Sequence, residues 1–203
     1  MPTDLFTIGH STRDIGSFIA VLRENAVTAI ADVRSSPFSR FSPQYNMDSL
    51  KRTLLEQGIR YAYLGEELGA RRAEPECYIN DVARYDLIVK TQAFESGLNR
   101  LRHGMHTHRI ALMCAEKDPL TCHRTILVCR QLRDECRISH IIDHGVVEDH
   151  AAAEVRLLRL TGLPERSLFD DRPEHLQEAY ERQGKEIAYR RGAPKGVILR
   201  EGE

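Results

Sequence analysis

Short apolar runs alternate with amphipathic stretches along most of the chain, and this alternation constrains the fold more than any other feature. Leu5–Gly9 (LFTIG), Thr28–Val33 (TAIADV), Ile59–Leu64 (IRYAYL), Arg109–Cys114 (RIALMC) and Ile138–Ile142 (ISHII) have the length and apolar or β-branched content of buried strands. The intervening segments keep a helical period. After Asp14, residues Ile15, Phe18, Ile19 and Leu22 share one face. Asp48 reads as the cap of a helix carrying Leu50, Leu54 and Leu55, with Gly58 as its stop. One helix is expected over about 83–103, another from the AEKDPLTCHR connection to near Cys136, and a third over His150–Leu160, ended by Gly162 and Pro164. Residues 34–46, rich in Pro, Ser and Asn, read as a surface loop, and 70–82 as irregular. Strands joined by helices rather than by two-residue turns form a parallel sheet covered on both faces. The expected fold class is therefore α/β: a mainly parallel five-stranded sheet flanked by helices, with a C-terminal helical arm. The core domain is assigned to 1–163 and the charged arm to 164–203, with a weak helix near His175–Ala188 and a mobile last dozen residues.

Composition narrows the function classes. The 203 residues suit one domain with an appendage. Twenty-nine Lys and Arg against thirty Asp and Glu leave no basic excess, which argues against a protein that holds nucleic acid mainly by neutralising phosphates. Five cysteines, at 77, 114, 122, 129 and 136, are an odd number, unlike an extracellular disulfide framework. No signal-peptide pattern opens the chain, and no apolar run is long enough to span a bilayer. The expectation is a soluble, reduced, cytoplasmic protein with no membrane contact.

In an open parallel sheet, ligands bind beyond the carboxyl ends of the strands. Each of the five expected strands ends in ionisable or nucleophilic residues: His10 and Ser11, Asp32 and Arg34, Glu66 after Gly65, Cys114 and Glu116, Asp143 and His144. Asp118 followed by Pro119 reads as a helix start, which places Cys122, His123 and Arg124 in or near the first turn. Free N–H groups and the helix dipole there favour a thiolate and an anionic ligand. A phosphatase-type cysteine–arginine loop does not fit, because nine residues separate Cys114 from Arg124 and only one separates Cys122 from it. Cys122, Cys129 and Cys136 recur every seven residues, so a continuous helix would put them on one face, and the latter two suit core packing. Arg34 and Arg40 stand beside hydroxyls and two rings, Phe38 and Phe41. That loop suits a phosphate and a flat ring, or else Asp32 pairs with Arg34 while the phenylalanines cap the core.

The stretches TIGHS (7–11), DVRSSPFSR (32–40), GIRYAYLGEELGA (58–70), CAEKDPLTCHR (114–124) and EAYERQGKEIAYR (178–190) together resemble a bacterial and archaeal family, domain of unknown function 488. Ala70 departs from the second glycine that many members carry there. The resemblance implies an α/β core and gives motif weight to His10, Ser11, Asp32, Arg34, Pro37, Arg40, Cys114, Glu116, Cys122, His123 and Arg124. It implies no particular reaction and no cofactor.

The leading expectation is an enzyme, or an enzyme-like binder, of a small anionic, phosphate-bearing ligand at the C-terminal rim. Arg34, Arg40, Arg124 and Ser11 would hold the ligand. Cys122 or Cys114 would be the nucleophile or redox thiol, with His10 or His123 carrying protons and Asp32 or Glu116 orienting them. A metal module built on Cys114, Cys122 and His10 or His123, with zinc or iron, is the first alternative. A nucleic-acid accessory surface made of the Arg34–Arg40 loop with Arg190, Arg191, Lys195 and Arg200 is the second.

Overall fold

The computed structural model describes residues 4–165 and 172–192. The elements follow the alternation of the sequence: β1 (Asp4–Gly9), α1 (Ile15–Glu24), β2 (Ala29–Asp32), α2 (Met47–Glu56), β3 (Arg60–Tyr63) and a short α3 (Gly65–Leu68). A small hairpin follows, β4 (Tyr78–Ile79) and β5 (Val82–Ala83), then α4 (Tyr85–Ile88), α5 (Gln92–Met105) and β6 (Ile110–Cys114). A π-helical stretch, Arg124–Cys129, runs into α6 (Arg130–Leu132), and the chain continues through β7 (Arg137–Asp143), β8 (Val146–Asp149), α7 (His150–Leu160) and α8 (Arg172–Glu186). The main sheet has the order β3-β2-β6-β1-β7-β8, parallel throughout except for β8. The mixed α/β architecture and the flanking helices are as the sequence pattern predicts.

Period-two alternation distributes each central strand between two layers. Along β6, Ile110, Leu112 and Cys114 join the core beneath α5 and the π-helical stretch, whereas Ala111 and Met113 join the core beneath α1 and α2. Cys77, Cys129 and Cys136 are buried in the first of these cores, all as free thiols.

Four local expectations need correction. The sheet has six strands rather than five. Gly145, at φ 63°, closes a tight hairpin that returns Val146–Asp149 antiparallel to β7. Within 70–82, Asn80 and Asp81 both take positive φ, the backbone of a two-residue hairpin turn, so this stretch is not wholly irregular. The single helix expected over 83–103 is two, because Thr91 caps α5 by accepting from Phe94 N and donates back to Ile88 O. Asn46, not Asp48, occupies the N-cap position of α2.

Helix α8 packs on α7 and the π-helical stretch through Leu176, Ala179 and Tyr180 against Leu120, Ile126 and Leu157. Tyr189–Arg191 then pairs with the hairpin, where Arg191 lies 3.5 Å over the Tyr78 ring. The mobility expected for the chain end concerns 193–203, outside the described residues. No described helix is long and apolar enough to cross a membrane.

Polar side chains also join α7 and α8 to the sheet. His140 of β7 meets His150 of α7 at 2.9 Å (Nε2 to Nδ1), and Tyr180 OH lies 3.1 Å from His150 Nε2. Burial holds both histidines below their ordinary pKa of 6.5, His140 well below it, so the folded protein keeps them neutral. Below pH 6.5 the unfolded chain binds protons that these rings refuse. Each therefore costs about 1.4 kcal/mol of stability per pH unit until its own lowered pKa is reached. Urea unfolding at pH 7.5 and 5.5 is expected to show lower stability at the acid pH, and equal or greater stability there would contradict neutral buried rings.

Candidate functional site

Strands β2, β6 and β1 are neighbours in the sheet, and their carboxyl ends bring Asp32, Cys114 and His10 to one rim. Glycine permits the close packing beneath. A Cβ on Gly9 would stand 1.8 Å from Glu116 O, so only glycine lets the loop after β6 cross β1. His10 N and Ser11 N then donate to Cys114 O and Ala115 O, at 2.9 and 2.8 Å. The same logic holds within LGEELG, where a Cβ on Gly65 would meet Arg34 O at 2.0 Å and one on Gly69 would meet Gly65 O at 2.3 Å.

One half of the rim is an ionic clamp. The buried Asp32 carboxylate accepts from Arg34 Nε (2.9 Å), Nη2 (2.6 Å) and backbone N (3.1 Å), and from Tyr61 OH (2.8 Å). Arg34 Nη2 also donates to Tyr45 O at 2.8 Å, and Nη1 lies 3.3 Å from His10 Nε2. His10 Nδ1 sits 3.0 Å from Ser11 O, a geometry in which Nδ1 carries the proton and Nε2 accepts. Burial first, then the Arg34 charge, lowers His10 to about 4. The Asp32–Arg34 pairing prevails over ligand binding here: the guanidinium spends its donors inside the protein, braces the loop after β2 and holds His10 neutral.

The other half is the thiol cluster. Cys114 Sγ lies 3.8 Å from His123 Nδ1, and His123 Nε2 lies 2.9 Å from Val33 O. The carbonyl can only accept, so Nε2 carries a proton and Nδ1 is the ring nitrogen turned to the thiol. The Cys122 thiol donates to Glu116 Oε2 at 3.0 Å and accepts from Arg124 N at 3.4 Å. The two Sγ atoms and a ring nitrogen of His123 all lie within 4.8 Å of one another. Burial opposes ionisation of Cys122, yet the Cys114 thiol and the charges of Arg124 and His123 hold it well below the ordinary thiol range. Cys114 is pushed well above that range, first by its bond to Cys122 and then by burial. Glu116 is raised, chiefly by desolvation and the neighbouring Cys122, and His123 is raised because Cys122 and Glu116 outweigh its burial.

One expectation about this segment holds and one changes. Asp118 caps the short turn Pro119–Thr121 rather than the helix itself, and Cys122, in extended backbone (φ −132°, ψ 138°), stands at the N-cap of the helix that follows, where its carbonyl accepts from Ile126 N and its sulfur from Arg124 N. Arg124 is completely buried, and its guanidinium donates to Glu116 O (2.7 Å), Lys117 O (3.1 Å) and Thr7 Oγ1 (3.5 Å). It pins the loop and faces no solvent, so it is not placed as a surface anion clamp.

Residues 14–130 match the family described as Domain of unknown function DUF488, more than half of the chain. The chain belongs to this family. No curated protein and no solved structure matches it. The DUF488 match includes the ionic clamp and the thiol cluster, while His10 and Ser11 precede it.

Other expected residues lie apart from this centre. Arg40 is exposed on its loop and makes no ion pair among the described residues, and Phe38 and Phe41 are 67% and 94% exposed rather than capping the core. Ser11 takes left-handed backbone at φ 46°. Asp143 pairs with Arg13 and Lys117, and His144 with Glu24. Arg190 bridges to Val82, and Lys195 and Arg200 lie outside the described residues. Sequence reasoning missed Tyr61, which reaches Asp32 from the neighbouring strand β3, Tyr45, whose carbonyl meets Arg34 from the turn at Pro43–Tyr45, and the His140–His150 pair. Removing the negative member of the clamp tests its structural role. Asp32→Asn leaves a buried guanidinium without its counter-charge, and urea unfolding should register a loss of about 3–5 kcal/mol.

Proposed function

We propose that the protein is a metal-dependent enzyme whose cation, zinc or a similarly sulfur-seeking metal such as iron, is held by Cys114, Cys122 and His123 beside Glu116. The observation that carries this reading is the orientation of His123: Nε2–H is tied to Val33 O and Nδ1 is turned to the Cys114 thiol. A ring nitrogen fixed in this way by a carbonyl on its far side is the usual arrangement of a metal-bound histidine. Metal–ligand lengths of about 2.0–2.3 Å put tetrahedral donors roughly 3.5 Å apart. Donors within 4.8 Å close on an ion with movements of about an ångström. The low pKa of Cys122 and the N–H of Arg124 on its sulfur suit a thiolate ligand.

Two sulfurs and one nitrogen leave a fourth position, the ligand count of catalytic rather than structural zinc. The cation would supply Lewis acidity there. Glu116, an exposed residue whose carboxyl is raised by desolvation and by Cys122, stands where it can take or give a proton. This reading retains an enzyme acting on a small molecule at the C-terminal rim but reassigns the thiols from attack to ligation. Cys114 and Cys122 are 3% and 1% exposed, which favours a ligand role over a nucleophile that a substrate must reach.

Elemental analysis of protein prepared without a metal-affinity tag is expected to find roughly one zinc or iron per chain. Cys114→Ser, Cys122→Ser and His123→Ala should each weaken Zn(II) binding by more than about 100-fold in competition with a chromophoric chelator. Glu116→Gln should keep the metal. Wild-type protein that neither carries nor takes up zinc or iron would overturn the proposal. Rapid, His123-dependent alkylation of Cys122 in such protein would instead support the thiol-nucleophile reading.

A further inference from the structure

A single file of buried hydrogen bonds starts at the thiol centre and ends on the C-terminal helix pair, 30 residues in sequence from His150 to Tyr180. Arg124 Nε faces Thr7 Oγ1 (3.5 Å), which lies 2.8 Å from His140 Nδ1, and His140 Nε2 faces His150 Nδ1 (2.9 Å). His150 Nε2 faces Tyr180 OH (3.1 Å), and Tyr180 OH donates to Glu154 Oε1 (3.0 Å). Thr7, His140 and Arg124 are all fully buried.

The two ends of this file are chemically unequal. A guanidinium only donates, and a carboxylate only accepts. Every proton between them therefore points the same way. Arg124 gives to Thr7, Thr7 to His140, His140 to His150, His150 to Tyr180, and Tyr180 to Glu154. Both rings are neutral Nε2–H tautomers, and no donor meets another donor. If the order reversed, the His140 N–H would compete with Arg124 Nε for Thr7 Oγ1, and the hydroxyl proton would lose its acceptor in the ring. The far end of the file thus governs how Arg124 is held. Arg124 in turn fixes the Glu116 and Lys117 carbonyls and donates its backbone N–H to Cys122 Sγ.

We propose that Glu154 and Tyr180 are positioning residues of the thiol–imidazole centre, acting through His150, His140 and Thr7 on Arg124, so that helices α7 and α8 belong to the functional site. The proposal rests on the metal reading for its main readout but not for its logic. Partners of this outer kind are worth about 10–100-fold in metal affinity.

A double-mutant cycle tests it. Thr7→Val removes the hydroxyl in the middle of the file, and Glu154→Leu removes the acceptor at the end that sets its direction. Each is expected to weaken Zn(II) binding by about 10-fold. The double variant should be no weaker than Thr7→Val, because the effect of Glu154 must pass through Thr7. Arg133→Gln serves as a control. It breaks the Arg133–Glu154 ion pair (2.7 Å) but keeps the accepting carboxylate, and should leave affinity unchanged. Multiplying effects in the double variant, no effect of Glu154→Leu, or an equal effect of Arg133→Gln would each overturn the proposal. If wild type binds no metal, the metal reading fails by itself. The same proteins are then compared by the rate at which iodoacetamide labels Cys114 and Cys122, with the same non-additive pattern expected and equal rates in all of them overturning it.

Discussion

A guanidinium buried beyond any contact with water is the constraint on which the rest of this molecule depends. Arg124 has no carboxylate among its hydrogen-bond partners, only two backbone carbonyls and a hydroxyl. A buried cation demands compensation nearby. The groups that act to keep Arg124 charged against its burial are Cys122, Cys114 and Glu116. Together with the bond from Cys114, the cation holds Cys122 below the ordinary thiol range, and it also accounts for the single shape of the loop after β6 and for the polar file across an otherwise apolar interior.

The second buried arginine is handled differently. Arg34 has its own carboxylate, Asp32, and the pair is closed by Tyr61 and the Tyr45 carbonyl. It leaves no excess charge to act on neighbours except through His10, which it keeps neutral. The rim therefore has a satisfied half, which builds the walls, and a half of thiols and imidazole, to which the proposed function assigns the chemistry. Exposed Phe38, Arg40 and Phe41 stand on the loop that the satisfied half braces.

Much of the fold was legible because its elements are locally determined. β1, α1, β2 and α7 lie within a residue or so of where periodicity placed them, and Gly58 and Gly162 end their helices at positive φ as expected. The misses share a cause. β8 is an edge strand with Val146 and Val147 exposed, so no core-facing period marked it, although Gly145 before a β-branched pair was a usable signal. Asp118 caps a turn of its own, Pro119–Thr121, and leaves the N-cap of the following helix to Cys122, a break that no spacing rule shows. Within the site, Cys114, Glu116, Cys122 and His123 were recognisable from one short motif at a strand end. The roles of Arg34 and Arg124 were not, because an arginine that grips a ligand and one that grips its own backbone look alike in one dimension.

By itself the sequence determined which residue types gather at the rim, since a parallel sheet brings every strand end to one side whatever the details of packing. It also determined that the cysteines do not form a disulfide framework. Only the tertiary structure decided which groups are spent internally and which remain poised for chemistry. Hydrogen-bond satisfaction is a property of three-dimensional neighbours: Val33 O orients His123, Thr7 meets Arg124 and His140, and Tyr180 reaches Glu154. Those partners lie from tens of residues to more than a hundred apart in the chain, and no local pattern encodes their meeting.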